Sequence, residues 1–273
     1  MTPDFERRFG GLQRLYGLAG AQRIYSARVL VVGIGGVGSW AAEALARSGV
    51  GSIGLVDMDH VAESNINRQV HATSPSIGQA KVLAMQERIA QINPNCQVHC
   101  IDDFVSPDNW PAIAFNAALP AWDAIIDCCD QAQAKLAMAA WLLALGKRQR
   151  PLYACVGAAG GKRLAQRTSI ADLADTTHDP LLAKLRYNLR RNHGAARSGA
   201  VGLSCVFSQE AVAPPDASCA MPDVDGSLNC SGYGSSVAVT ASFGLAAAGW
   251  VMDQLAAKIH SESGQAHQNR AII

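Results

Sequence analysis

Apolar and polar positions divide this chain into two regimes. In the first, short uninterrupted apolar runs alternate with longer amphipathic stretches. Val29-Leu30-Val31-Val32 is a continuous β-branched and aliphatic run, the pattern of a parallel strand covered on both faces. A glycine turn follows, then an alanine-rich helical segment from Ser39 to Arg47 and a second strand, Ser52-Ile53-Gly54-Leu55-Val56-Asp57. Apolar residues recur at helical spacing from Gly78 to Asn93 and stop at Asn93-Pro94. Cys96 to Ile101 alternates like a strand, and Asp123-Ala124-Ile125-Ile126-Asp127 is another buried one. Gln131 to Leu145 predicts a helix closed by Gly146, and Pro151 to Val156 a further strand. This alternation predicts an α/β fold with a doubly wound, mainly parallel Rossmann-like sheet.

The second regime starts after Gly157. Glycines, short strands and polar loops replace the regular alternation. Asp179 to Arg191 is a basic amphipathic helix, Val201 to Phe207 is strand-like, and Val212 to Tyr233 is a long loop containing Pro, Gly and Asp. A helix from about Ser236 to Ile259 closes the fold ahead of a frayed polar tail. No internal repeat is visible.

Composition narrows the class. A chain of 273 residues buries roughly three quarters of its unfolded surface, so it needs neither disulfides nor metal to fold. A formal net charge of +1 gives no strong overall attraction to nucleic acid or membrane, although a local basic patch is compatible with it. The start, Met1-Thr2-Pro3-Asp4-Phe5-Glu6-Arg7-Arg8, lacks an apolar h-region, so a cytoplasmic location is expected. Eight cysteines, Cys96, Cys100, Cys128, Cys129, Cys155, Cys205, Cys219 and Cys230, form no Cys-x-x-Cys pair. No zinc is expected, and the cysteines read as reduced thiols. Ser235 to Met252 is nearly free of charge and at the lower length limit for a spanning helix. It is rich in Ala, Gly, Ser and Thr and runs into Asp253, so it reads as a buried helix rather than a membrane anchor.

The chemistry begins at Gly33-Ile34-Gly35-Gly36-Val37-Gly38, which opens a helix directly after a strand. Glycines admit a phosphate close to the backbone, and the helix N-terminus offers free N–H groups and partial positive charge. Asp57, at the end of the next strand, can accept hydrogen bonds from ribose hydroxyls. Alone, the loop and Asp57 fit an NAD-binding dehydrogenase better than an ATP site. The residues around them point the other way. Asp59, the run Ser64-Asn65-Ile66-Asn67-Arg68-Gln69, Lys81 and Asp130 would all project from the carboxyl edge of one sheet. Arg68 and Lys81 can neutralise a triphosphate as charge builds in the transition state, and Asp130 can hold Mg²⁺ bridging phosphate oxygens. A dehydrogenase has no need of this set. Each residue has a plainer alternative: Asp59 as a helix cap, Lys81 as a solvated helix residue, Asp130 as a turn former. Their joint occurrence in this order favours adenylation of a carboxylate.

Gly33-x-Gly35-Gly36-x-Gly38, Asp57-x-Asp59, Asn67-Arg68-Gln69, Gly78-Gln79-x-Lys81 and Asp127-x-x-Asp130 resemble the ubiquitin-activating-enzyme superfamily in its ThiF/MoeB/HesA branch, from Arg8 to about Val156. The resemblance implies ATP contacts from these glycines and from Asp57, Asp59, Asn67, Arg68, Gln69 and Lys81. It also implies a homodimer in which an N-terminal arginine of one subunit reaches the other's ATP. Arg14, in Arg14-Leu15-Tyr16-Gly17, matches that arginine best, and Arg8 second. The division that follows is a helical arm (1–27), an ATP-binding adenylation region (28–157), a C-terminal substrate-binding extension (158–259) and a tail (260–273), in a single integrated domain.

Sulfur-carrier activators of the branch usually hold zinc with paired Cys-x-x-Cys motifs, which this chain lacks. Instead, Gly157-Ala158-Ala159-Gly160-Gly161, Asp179-Pro180-Leu181-x-x-Lys184-Leu185-Arg186, Cys205-Val206-Phe207-Ser208-x-Glu210 and Gly232-Tyr233-Gly234, with Arg8-Phe9-Gly10-Gly11, resemble the tRNA threonylcarbamoyladenosine dehydratase family, also called the CsdL branch. That resemblance covers essentially the whole chain. It implies ATP-dependent cyclisation of the threonylcarbamoyl group on the adenosine 3′ of the anticodon, and it brings a sulfur-transfer partner (a cysteine desulfurase or sulfur acceptor) into view. Attack of the threonyl carboxylate on the α-phosphorus would release pyrophosphate, and the ureido group would then close a five-membered ring and expel AMP. Ring closure is intramolecular, so the protein supplies activation and orientation. Cys230 has two readings, a transient thioester and a lining role; an unactivated thiol is mostly protonated at neutral pH. Lys184, Arg186, Arg190, Arg191, His193 and Arg197 lie on or just after one helix, and Lys162, Arg163 and Arg167 form a second basic group. Such residues would position an anticodon arm through its phosphates, or form a solvated basic face. The alternatives are an activator of a ubiquitin-like sulfur carrier, a non-catalytic partner in sulfur transfer or tRNA processing, and last an NAD oxidoreductase. Intact Arg68, Lys81 and Asp130 argue against a decayed site.

Overall fold

The computed structural model describes residues 4–115, 120–216, 218 and 233–257. Two short helices, α1 (Phe5–Phe9) and α2 (Gly11–Ser26), precede the sheet, and α2 kinks at Gly17, where φ is 71°. The order then runs β1 (Arg28–Val32), α3 (Gly38–Arg47), β2 (Ser52–Val56), α4 (Lys81–Ile92), β3 (Gln97–Ile101), α5 (Trp110–Ala114), β4 (Ala124–Asp127), α6 (Ala132–Ala144), β5 (Leu152–Val156), β6 (Thr168–Asp172), α7 (Pro180–Asn192), β7 (Ser204–Ser208) and α8 (Val237–Ala257). The seven strands form one sheet in the order β3-β2-β1-β4-β5-β7-β6. All neighbours are parallel except β6, which runs antiparallel on β7. The strand order reverses between β1 and β4, and a crevice at the carboxyl ends of such strands is where this architecture binds ligands.

The apolar run of β1 is explained by its position. Val29 and Val31 point to a core shared with α3, α4 and α8, whereas Leu30 and Val32 point to one shared with α5, α6 and α7. Alternate side chains thus feed opposite cores, and no polar face is left. The apolar C-terminal helix is the covering element expected. Val239, Phe243, Ala247, Val251 and Leu255 recur every fourth position and are buried. Gly244 lets α8 approach α3: a Cβ there would lie 2.4 Å from the Val37 carbonyl oxygen. Among the described residues, no helix is long and apolar enough to cross a membrane.

The structure departs from the sequence reading at several boundaries. α4 starts at Lys81 rather than Gly78, because Gly78 has φ 86° and the chain bridges from His60 to Ala80 first. β7 starts at Ser204 rather than Val201, because the N–H groups of Val201 and Gly202 are taken by the Asp172 carboxylate (2.8 and 2.7 Å). Helix α5 and strand β6 were not individually expected. Pro111 is in the first turn of α5, where it costs no hydrogen bond. The loop expected over 212–233 falls largely, and the tail from 260 wholly, outside the described residues.

Candidate active site

A cleft of about 460 Å³ opens at the carboxyl ends of β1, β2, β4 and β5. The glycine turn forms one side. Gly33 has φ 85°, and a Cβ there would press within 3.1 Å of the Cys128 backbone. At Gly38 a Cβ would lie 1.8 Å from the Gly33 carbonyl oxygen, so the turn closes only with hydrogen at that position. Gly35, in contrast, has no atom within 4 Å of where its Cβ would be and faces open cleft. Helix α3 then starts without a side-chain cap, which leaves its partial positive charge directed at the cleft. These features fit a phosphate group.

Asp57 braces the turn. Its Oδ2 accepts from the Ile34 N–H at 2.7 Å and its Oδ1 from the Asp59 N–H at 2.9 Å. Burial raises its pKa against the opposing pull of Lys81 and the two backbone N–H groups. Lys81, 6% exposed, places Nζ 2.6 Å from Asp59 Oδ2 and 3.6 Å from Asp57 Oδ1. Asp59 also accepts the Lys81 backbone N–H through its carbonyl at 3.0 Å. Arg68 packs its Cγ and Cδ over Gly36, donates to the Ser64 carbonyl at 2.5 Å and to Asn67 Oδ1 at 2.8 Å. The Trp40 indole holds the Arg68 carbonyl at 2.9 Å. Gln69 lines the same wall, with Oε1 buried and unpartnered among the described residues.

On the opposite side, β4 delivers Cys128, Cys129 and Asp130 to the cleft. Asp130 is exposed and makes no ion pair among the described residues. The strand end beneath it rests on a dry polar network. Asp127 and Lys135, each with a 0% exposed side chain, pair at 2.8 Å, and the Tyr153 hydroxyl donates to Asp127 Oδ2 at 2.8 Å. Asp127 Oδ1 also accepts the Cys129 N–H at 3.0 Å, which shapes the loop carrying Asp130. Burial works against the Lys135 charge, but Asp127, Cys155 and the hydrogen bond outweigh it and lift its pKa above the usual lysine range. Burial, reinforced by the Asp127 charge, pushes the Cys129 thiol up to about 12.

The third wall comes from the C-terminal half. Gly157, Ala158, Ala159 and Gly160 follow β5 into the cleft, and Leu181 of α7 joins them. Asp179 locks the two together: Oδ1 caps α7 through the Leu182 N–H (3.0 Å), and Oδ2 accepts the Ala158 N–H (2.9 Å). A Cβ on Gly157 would lie 2.1 Å from Asp179 Oδ2, so only glycine permits this contact. Beside it Lys162, 2% exposed, donates to the carbonyls of His178 and Ser208 at 3.3 and 3.4 Å. Burial lowers its pKa, with Asp179 and Glu210 opposing. Lys162 therefore ties loops together and does not belong to a basic surface with Arg163 and Arg167.

The cleft thus gathers Gly33, Gly35, Gly36, Asp57, Asp59, Arg68, Gln69, Lys81 and Asp130 of the expected set. Gly38 and Asn67 are not lining residues. Gly38 shapes the turn from beneath, and Asn67 donates to the Ser235 carbonyl at 3.2 Å. Arg14 is exposed on α2, away from this cleft. Cys230 lies outside the described residues. Of the basic residues, Lys184, Arg191 and Arg197 are exposed, whereas Arg186 donates to the Leu173 and Thr176 carbonyls (2.8 and 3.1 Å) and Arg190 to that of Ala196 (3.0 Å). Residues missed in the sequence include Met58, Asp103, Phe104, Val105 and Thr240, also in the wall. Phe104 follows an expected strand, the one available signal for it.

The ThiF family model matches residues 7–270. The tRNA threonylcarbamoyladenosine dehydratase of Escherichia coli (strain K12) is 42% identical over 267 residues, covering 94% of this chain and 97% of that protein. A solved structure of the E. coli tRNA N6-threonylcarbamoyladenosine dehydratase in complex with ATP superposes with a TM-score of 0.82 at 40% identity, covering 96% of this chain and 99% of that one. A structure of the same enzyme in complex with AMP gives 0.81 at 40% identity over the same shares. Identity at this level over nearly the full length of both chains, on a fold and cleft that agree with it, means that the chain belongs to the ThiF family and, within it, to the tRNA threonylcarbamoyladenosine dehydratases.

Proposed function

We propose that this protein adenylates the threonyl carboxylate of threonylcarbamoyladenosine in tRNA, next to the anticodon, and lets the ureido group close the ring. The observation that carries this reading is the convergence of Arg68, Lys81 and Asp130 on one glycine-turn cleft whose far wall is the Gly157–Gly160 segment. With phosphates on the turn and ribose towards Asp57, the base falls against the apolar Met58, Phe104 and Val105. The substrate carboxylate enters from the Gly157–Gly160 side and attacks the α-phosphorus; pyrophosphate leaves. The acyl carbon is then attacked by the ureido nitrogen, and AMP leaves with the carboxylate oxygen. The substrate loses one water in total, and ATP is converted to AMP and pyrophosphate.

Arg68 and Lys81 neutralise the charge that develops on the phosphates. Lys81 is held ready by Asp59 at 2.6 Å, and a triphosphate competes with that carboxylate for it. Asp130, an exposed carboxylate on the cleft, would hold a magnesium ion, which would supply positive charge to offset the phosphates. Arg14 is the residue we assign to the partner subunit's nucleotide. Its neighbours Leu15 and Leu18 are each 74% exposed, as a dimer contact would require. Cys230 is assigned either a transient thioester or a lining role, which Cys230→Ser separates by retaining or losing turnover. Lys184, Arg191 and Arg197 form the basic side offered to tRNA, while Arg186 and Arg190, bonded to backbone carbonyls, leave that set, and a cysteine desulfurase or sulfur acceptor is the partner class to test by co-purification.

The test is incubation with ATP, Mg²⁺ and tRNA bearing or lacking the threonylcarbamoyl group. AMP release together with the loss of one water from the nucleoside, only with the modified tRNA, supports the reading. AMP release only with a small carrier protein would overturn it in favour of sulfur-carrier activation.

A further inference from the structure

Helix α7 carries more than charge. Leu181, Leu182, Leu185 and Leu189 bury one side of it. Lys184, Tyr187, Asn188 and Arg191, at helical spacing of three and four, make a stripe on another. Tyr187 is 57% exposed, an aromatic ring displayed on a strongly basic element. Residues 180 to 209 contain no Asp or Glu at all, so the stripe faces outward with no acidic neighbour on its own segment. The ring is held in place: Arg191 donates to the Tyr187 hydroxyl at 2.7 Å, and its guanidinium carbon is 5.8 Å from the ring centroid. Arg186 and Arg190, in contrast, each turn a guanidinium N–H inward, Arg186 to the Leu173 and Thr176 carbonyls and the Thr176 hydroxyl, Arg190 to the Ala196 carbonyl.

A merely solvated basic face needs no ring. Single-stranded RNA does, because unpaired bases stack on aromatic side chains and arginine planes while cations hold the backbone. The position agrees. Leu181 lines the cleft, and Tyr187 lies six residues further along α7, roughly 9 Å at the rise of an α-helix.

We infer that Tyr187 and Arg191 form a stacking platform for an unpaired base of the RNA substrate outside the cleft, with Lys184 and Arg191 on the flanking phosphates. The inference rests on the tRNA reading above and adds a base contact to it. The platform takes any base, since every base has a π-face. Its work is to fix the anticodon loop so that the modified nucleoside enters the cleft.

The experiment measures tRNA affinity against salt concentration for the wild-type chain, Tyr187→Ala, Tyr187→Phe and Arg191→Ala, with ATP affinity as a check on folding. Tyr187→Ala should weaken tRNA binding roughly 5- to 150-fold with an unchanged salt slope, because no charge is removed. Tyr187→Phe keeps the ring and should restore most of the affinity. Arg191→Ala should reduce the salt slope by about one. Unchanged affinity in Tyr187→Ala, or an equal loss in Tyr187→Phe, overturns the platform but leaves the dehydratase reading intact. A wild-type chain that binds no tRNA, yet binds a protein partner through this stripe, overturns both.

Discussion

The buried network beneath the Asp130 loop sets a sharp test. Lys135→Met removes the only cation that the described residues place against Asp127, and both side chains are 0% exposed. The Asp127 carboxylate would then be left in a dry core with the Tyr153 hydroxyl, the Cys129 N–H and the Cys155 thiol (3.7 Å) as its remaining partners. Breaking a buried pair from one side costs about 3–5 kcal/mol. At about 2–4 °C per kcal/mol for a chain of this size, the unfolding midpoint should fall by roughly 6–20 °C. Tyr153→Phe removes one hydrogen bond to a charged acceptor and should cost about 1.5–3 kcal/mol. Because the Lys135 pKa is raised on folding, its contribution is fully present below the ordinary lysine value and is lost only at still higher pH, so neither effect should vary between pH 6 and 9. The double variant Asp127→Leu with Lys135→Met replaces the pair by apolar groups and should recover most of the lost stability. It should not recover turnover, because the Cys129 N–H loses the acceptor that shapes the loop. Urea unfolding and Mg²⁺-dependent AMP formation, measured on the same samples, separate the two effects. A cost below about 1 kcal/mol for Lys135→Met would refute the dry pair, and full activity in the double variant would refute its control of the loop.

Three further outcomes follow from the geometry. His71 is 4% exposed with both ring nitrogens unpartnered among the described residues, and burial, then Lys81 and Arg88, lower its pKa from 6.5 to about 4. The folded state therefore stays neutral where the unfolded chain takes a proton, so stability should be full above pH 6.5 and fall by about 3 kcal/mol towards pH 4; an equally steep loss in His71→Leu would refute this. Gly35→Ala has no neighbour within 4 Å, so it should leave urea unfolding unchanged while weakening ATP binding by calorimetry, whereas Gly38→Ala should cost about 1–3 kcal/mol by forcing the turn open. Arg186→Ala loses its bonds to the Leu173 and Thr176 carbonyls and should cost about 1–3 kcal/mol with little change in the salt slope of tRNA binding; a slope reduced as much as in Arg191→Ala would return Arg186 to the phosphate-contacting set.

What was legible in the sequence follows from how local each signal is. β1 declares itself because every side chain in Val29 to Val32 is buried, half on each side. β6 does not, because as an antiparallel edge strand it is only partly covered, with the pattern of a loop. The glycine turn, Arg68, Lys81 and Asp130 were readable as converging on one cleft because each follows a strand out of the carboxyl edge of the sheet. The brace that Asp57 adds to its expected ribose role was not readable: one oxygen holds the Ile34 N–H across 23 positions, a contact that no local pattern encodes. Lys135 was missed for a related reason. Among alanines it looks like a solvated helix residue, and only the fold places it 2.8 Å from Asp127. The basic helix was recognised as charged, but sorting its arginines into those tied to carbonyls and those left outside required their partners.

In the proposed reaction the C-terminal half would select the carboxylate, by mechanical as well as chemical means. The phosphate half of the cleft would serve any acyl group, since its contacts are made to ATP. The wall proposed to meet the substrate is the Gly157–Gly160 segment, and that segment is tied to α7. Asp179 bonds Ala158 with one oxygen and caps α7 with the other, against a glycine whose Cβ would lie 2.1 Å away. A shift of α7 along its axis would therefore pull on the wall proposed to meet the substrate carboxylate. A helix that grips RNA along its outer stripe and shares a carboxylate with the cleft at its N-terminus can tie binding outside to alignment inside. On this argument Asp179→Asn, which keeps the cap but weakens the hold on Ala158, should reduce AMP formation with modified tRNA more than it reduces tRNA affinity, and a loss confined to affinity would place the coupling elsewhere.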